Sequence, residues 1–188
     1  GWRATFLAAA ALGALSLLVQ LLVLPRLPSV GAPGLASFRA ALSRRAVLIG
    51  FATVIIVVSG HFAGFTFIRP FLEEVPRLDV ATISLALLAF GVGGFLGNPV
   101  AGMIAARSPA FAAGGVSLLI GAASLLLALF GGTPAVAFAA VALWGFAFGG
   151  FPVAVSIWNA RAAPDLAESS GALLSSSFQV AIASGALI

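Results

Sequence analysis

Cysteine and lysine are absent from the 188 residues, histidine occurs once, and there are only five acids. Without cysteine there are no disulfides, no thiolate metal sites and no cysteine nucleophile. A single histidine rules out an HExxH motif, and neither a P-loop nor a G-x-S-x-G elbow occurs. The acids Glu73, Glu74, Asp79, Asp165 and Glu168 all fall at the ends of apolar runs, so no carboxylate pair stands inside one. No catalytic residue, metal ligand or cofactor is therefore expected. The glycine-rich GVGGFLG at Gly91 to Gly97 lies inside an apolar run, where it cannot cradle a nucleotide.

Charge itself is scarce. Only 7% of residues are charged, against about 25% in a soluble domain. The chain is 62% hydrophobic, with a mean hydropathy of +1.20. No soluble fold of this length hides so much apolar surface, so the sequence reads as a polytopic membrane protein, all-α. The net charge of +4 comes from nine arginines. They are scattered between apolar runs and form no basic face, so they bear on orientation in a bilayer and not on nucleic acid.

One stretch organises the rest: RRAVLIGFATVIIVVSGHFAGFTFIRPFLEE, from Arg44 to Glu74. A hydrocarbon core of about 30 Å takes roughly 20 helical residues to cross, and Ala46 to Phe67 meets that length without a formal charge. A lone crossing segment must be a helix, because lipid satisfies no backbone groups. This helix is expected over about Ala46 to Phe71. Five further spans are expected over Ala4 to Leu24, Val80 to Ala106, Ala110 to Phe130, Ala135 to Asn159 and Ser169 to Ile188. The stretch Pro25 to Arg45, with three prolines and four arginines, is the longest polar connection and the one plausible domain boundary. Within it Leu35 to Leu42 reads as a short helix on the membrane surface. Arg161 to Glu168 reads as a polar loop. Asn98-Pro99 should interrupt the hydrogen-bond ladder of its span.

Alternation sets the sides. With the 25–45 connection inside, Arg26, Arg39, Arg44, Arg45, Arg107 and Arg161 are inside, and Arg3, Arg69 and Arg77 are outside or near the outer surface. That is the positive-inside bias. Gly60-x-x-x-Gly64, Gly93-x-x-x-Gly97 and Gly145-x-x-x-Gly149 predict close helix crossings, or flexure points of a moving helix. The first residue is Gly and the last run stays apolar to Ile188, so the chain reads as a piece of a longer protein. Its first apolar run is too long for a signal peptide.

Few side chains inside the spans can recognise anything. His61 is the one group there that titrates near neutral pH, and an ionisable residue in a membrane is a functional candidate. It either donates to a neighbouring helix, contacts a substrate or relays a proton. Phe65, Ile68 and Leu72 follow on its face and either pack or wall a cavity. Arg69 either pairs with Glu73 and snorkels or meets a substrate anion or forms an outer gate. Gln179, after Ser175, Ser176 and Ser177, needs a partner at mid-span, either a solute or another helix. Trp144, Trp158 and Asn159 are weaker candidates, and Trp158 suits an aromatic belt. The residues expected to bind substrate are therefore His61, Phe65, Arg69, Gln179 and Asn159.

These residues carry a resemblance. The chain resembles the major facilitator superfamily, and within it the bacterial drug/proton antiporter-like exporters that include sugar and purine-nucleoside efflux permeases. Gly1-Trp2-Arg3-Ala-Thr-Phe is similar to the external turn before the sixth helix, and the 25–45 stretch to the central cytoplasmic loop. GHFAGFTFIRPFL (Gly60 to Leu72) is similar to the seventh-helix signature. GNPVAGMIAAR (Gly97 to Arg107) resembles the turn between helices eight and nine, except that Ala105-Ala106 stand where an aspartate is expected.

The resemblance implies helices six to eleven of a 12-helix bundle. Residues 1–24 would end the N-terminal half, and residues 46–188 would form the C-terminal half, truncated. It further implies an efflux permease in the bacterial inner membrane working by alternating access, with a midplane site between two halves. Its partners would be a small organic solute, protons, the lipid bilayer and the other half of the same transporter. An intramembrane enzyme would need a catalytic dyad at membrane depth. A non-transporting scaffold would tolerate apolar residues at His61, Arg69 and Gln179.

Overall fold

The computed structural model describes residues 1–25 and 34–187. The chain divides into two units, residues 1–32 and 33–188. Helix α1, Trp2–Val23, makes up the described part of the first. The Arg3 guanidinium sits 5.3 Å above the Trp2 ring, and Gln20 donates to Ser16 Oγ at 3.2 Å. Arg26, Pro28 and Gly31 of the expected connection lie outside the described residues, as does Ile188.

The second unit contains α2 (Leu35–Leu42), α3 (Arg45–Thr66), α4 (Ile68–Glu74), α5 (Val80–Arg107), α6 (Pro109–Phe130), α7 (Pro134–Ala162) and α8 (Ala167–Ala186). Among the described residues, α1, α3, α5, α6 and α7 are long and apolar enough to cross a bilayer. Helix α8 has 20 residues, but six serines and Glu168 make it more polar. The expected short helix at Leu35–Leu42 is present as α2.

Two expectations need correction. The second span is not one helix to Phe71: it stops at Thr66 and restarts at Ile68, with Phe67 at φ −99°, ψ 4°. Pro70 is the cause. It has no N–H to give the Thr66 carbonyl, and its ring crowds that oxygen. The loop expected over Arg161 to Glu168 is also shorter. Helix α7 runs to Ala162, a 3₁₀ turn spans Pro164–Leu166, and α8 already includes Glu168. Arg161 in the last turn of α7 and Glu168 in the first turn of α8 both suit the helix dipole. Pro99 sits inside α5, which continues through it to Arg107.

Helix α7 is the centre of the unit, with buried residues along its length from Ala137 to Asn159. Its closest partner is α5. A Cβ at Gly97 would strike the Phe146 carbonyl, one at Gly145 the Phe90 carbonyl, and one at Gly149 the Gly94 backbone. Two of the three expected glycine pairs thus face each other, and the backbones touch. Helix α6 packs along α7 and buries Val116, Ile120, Ala123 and Leu127, a stripe at helical spacing. Helix α8 pairs with α3: Ser59 donates to the Ala181 carbonyl at 3.1 Å, and Gly185 lies against the Ser59 backbone. The third glycine pair is divided, with Gly64 against Trp144 and nothing within 4 Å of the Cβ position of Gly60.

Polar groups gather at the ends. Arg44 grips Asp165 with two hydrogen bonds of 2.7 and 2.5 Å. The hydrogen bonds from Arg44 come first among the causes that hold the Asp165 carboxyl below its ordinary value. Arg161 donates to the Ala106 carbonyl at 2.6 Å, at the turn where the resemblance implied an aspartate in place of Ala105-Ala106. Trp158, expected in an aromatic belt, donates its Nε1–H to Ala46 O at 2.9 Å and fastens α7 to the start of α3. Arg44, Arg107 and Arg161 therefore share one end. At the other end Asp79 caps α5 by accepting from Thr82 N at 3.0 Å. Hydrogen bonding by the Thr82 side chain, then by its backbone, lowers the Asp79 carboxyl's pKa.

Candidate functional site

The site is built where α3, α5 and α7 approach one another. Gly64, one turn after Gly60, leaves room for an indole: a Cβ there would meet the Trp144 ring at 2.9 Å. Trp144 and Phe148 are four apart on α7 and share a face. The glycine contacts between α5 and α7 bring Phe90 beside them.

His61 is at the centre, 3% exposed. Its ring lies parallel to Phe148, with 3.3 Å between centroids and 5° between planes. Phe65 is stacked at 5.4 Å and Phe90 at 6.2 Å. Trp144 meets His61 edge-on at 5.4 Å, and so does Phe62 at 5.0 Å. Phe65 and Phe90 also touch, at 4.9 Å. No formal charge stands among these rings.

Two polar atoms in the cluster have no hydrogen-bond partner. They are His61 Nδ1 and Trp144 Nε1, both fully shielded. A buried donor or acceptor left unpaired costs about 1–3 kcal/mol. Indole Nε1–H only donates, whereas a neutral imidazole nitrogen donates or accepts according to tautomer. The cluster thus combines flat apolar faces, which stack on a planar ring, with two nitrogens able to bond to a polar edge. The expected bond from His61 to a neighbouring helix is not made at Nδ1.

The five residues expected to bind substrate do not assemble in one place. His61 and Phe65 come together. Arg69 lies on α4 and pairs with Glu73 at 2.9 Å, with about two thirds of its side chain exposed. Gln179 is exposed on α8. Asn159 is buried, with its Oδ1 unpartnered. It lies eleven residues beyond Phe148 on α7, about 16 Å along the axis. Ile68 and Leu72 are core residues. Sequence reasoning missed Phe90 and Phe148. The available signal was their position beside the glycine pairs, where a close crossing brings large neighbouring rings together.

Clefts adjoin the cluster and the outer faces of the bundle. One of about 290 Å³ between α3, α6 and α7 is lined by Gly60, Gly64, Ser124 and Trp144 among others. A larger one, about 470 Å³ between α5, α6 and α7, is walled by residues such as Val100, Leu119 and Phe146 and has no charged group.

Comparisons with known proteins agree with this architecture. The profile of the Major Facilitator Superfamily matches residues 1–186. The purine ribonucleoside efflux pump NepI of Salmonella paratyphi C is 34% identical over 188 residues, covering 100% of this chain and 47% of the relative. NepI of Salmonella typhimurium matches to the same extent, and NepI of Salmonella enteritidis is 33% identical over the same coverage. The chain spans about half the length of the curated relatives it matches. No solved structure gives a significant match.

Proposed function

The chain belongs to the Major Facilitator Superfamily, and from that premise we propose that it supplies much of the C-terminal half of an efflux permease. In this reading residues 1–24 are the last helix of the N-terminal half, residues 25–45 the central cytoplasmic loop, and residues 46–188 the C-terminal half. The whole transporter resides in the bacterial inner membrane and exports a small organic solute by alternating access.

The solute class is a purine nucleoside or a similarly flat heteroaromatic compound. The observation that carries this is the ring cluster around His61, with buried, unpartnered His61 Nδ1 and Trp144 Nε1. Stacked aromatic contacts contribute about 0.5–1.5 kcal/mol beyond their buried area, and a base offers both a face and a polar edge. The relatives' name, purine ribonucleoside efflux pump, points to the same class. His61 and Phe65 are the binding residues in this reading. Arg69, Gln179 and Asn159 contact the solute only where the other half-bundle completes the cavity. Export is coupled to protons, a statement supported by the resemblance to drug/proton antiporter-like exporters.

The test is transport of radiolabelled adenosine into inverted vesicles holding the full-length protein. His61→Ala should lower transport roughly two- to tenfold, the worth of one stacked or hydrogen-bonded contact, with membrane insertion intact. Wild-type protein that neither binds nor moves adenosine overturns the substrate class. Unchanged transport by His61→Ala makes His61 a packing residue.

A further inference from the structure

Resting on that reading of the His61 cluster, we propose that Phe148 is a displaceable ring that sets specificity: a flat heteroaromatic solute takes its place against the His61 face.

Three observations lead there. First, the stack is unusually close. Phe148 lies 3.3 Å from His61 and parallel to within 5°, the relation a bound base would have to a histidine. The other parallel rings stand off at 5.4 and 6.2 Å, leaving no slot for a second ring between them. A planar solute therefore reaches the imidazole face only by replacing a ring already there. Second, Phe148 is half-buried, while His61 and Trp144 are each 3% exposed. Phe65 and Phe90 are half-buried too, so it is the face-to-face contact that singles out Phe148, and its partial exposure gives it an open side to leave by. Third, the two nitrogens at the stack are unpartnered. Another phenyl ring offers them nothing. A flat solute whose ring nitrogens reach them satisfies them, and that gain offsets the lost Phe148 contact.

Phe148 then competes with solute. Its stack against His61 must be broken before binding, so it weakens every planar ligand and discriminates against those with no polar edge. Its removal should tighten binding. A residue that merely walled the site would do the opposite, because its loss would take away contact area.

The experiment uses the purified full-length protein in detergent, with adenosine as the probe and ribose as the control. Phe148→Ala is expected to bind adenosine about two- to tenfold more tightly than wild type, the factor equivalent to one aromatic pair. Ribose binding should not change. Phe148→Leu, which fills most of the space but cannot stack, should show the same direction and stands in if the alanine variant does not fold. The side chain itself can be followed in otherwise wild-type protein by placing 4-fluorophenylalanine at position 148. Its fluorine resonance should move on adding adenosine and stay put with ribose. Weaker adenosine binding by both variants, or a resonance that adenosine leaves in place, overturns the proposal. Those results leave the solute class standing as long as the wild type binds adenosine. Absence of adenosine binding by wild type removes the solute class instead.

Discussion

Trp144 shows how one buried atom separates stability from recognition. Its indole fills the space left by Gly64, yet its Nε1–H has no partner. Trp144→Phe keeps a flat ring and deletes the orphaned donor. The melting temperature of the full-length protein should change little, because removing the unpaired N–H, a cost of about 1–3 kcal/mol, offsets the cavity left beside Gly64. Adenosine affinity should drop roughly two- to tenfold, one hydrogen bond's worth. A clear loss of melting temperature with affinity unchanged would make the indole a packing residue only. At this scale the sequence was informative where a residue type was rare. His61 stood out as the sole histidine. Phe90 and Phe148 did not, being two of 16 phenylalanines marked only by lying near the glycine pairs. Only the depth of the α5–α7 contact determines which phenylalanines reach the imidazole.

Helices were legible from length and hydropathy, because lipid leaves a crossing segment no alternative to the helix. Their interruptions were less so. Pro70 lies one residue before the expected end of its span at Phe71, yet its effect falls four residues earlier, at Thr66. Glycine spacing marked faces where a backbone comes close without saying that α5 meets α7, and it could not distinguish Gly60, whose Cβ position is open, from Gly149, whose Cβ would strike the Gly94 backbone. Paired substitutions test the distinction. Gly149→Ala should destabilise the full-length protein by about 1–3 kcal/mol, the usual cost of forcing a methyl into a filled contact. Gly60→Ala should be neutral or slightly stabilising, since alanine is the better helix former by about 1 kcal/mol. Thermal unfolding in one detergent ranks the two. Equal losses would show that Gly60 also meets a neighbouring backbone in the whole transporter.

For the whole molecule, the gathering of Arg44, Arg107 and Arg161 at one end agrees with a cytoplasmic side chosen by arginine. The lack of native cysteine in this stretch makes the orientation easy to test. Single cysteines at Glu74→Cys and Glu168→Cys, with any cysteines elsewhere in the transporter replaced, should react with an impermeant maleimide from opposite sides of the membrane. Glu74→Cys should label from outside in intact cells, and Glu168→Cys only in inverted vesicles. Labelling of both from one face would reverse or break the alternation of the spans. The substrate was less legible at this scale, because Arg69, Gln179 and Asn159 do not assemble with His61 in this half, and the cavity proposed between halves would need both.

The two kinds of helix contact in the unit differ in what they permit. Helices α5 and α7 touch backbone to backbone through glycines, and α3 is joined to α8 through Ser59 and Gly185. Between these blocks, α3 faces α7 across smooth rings at His61, Phe65, Trp144 and Phe148. Glycine notches leave no room for anything between two helices, whereas a seam of side chains, pinned at one end by the Trp158 bond to Ala46 O, can admit a ligand. A ligand lodged in that seam would touch both blocks at once.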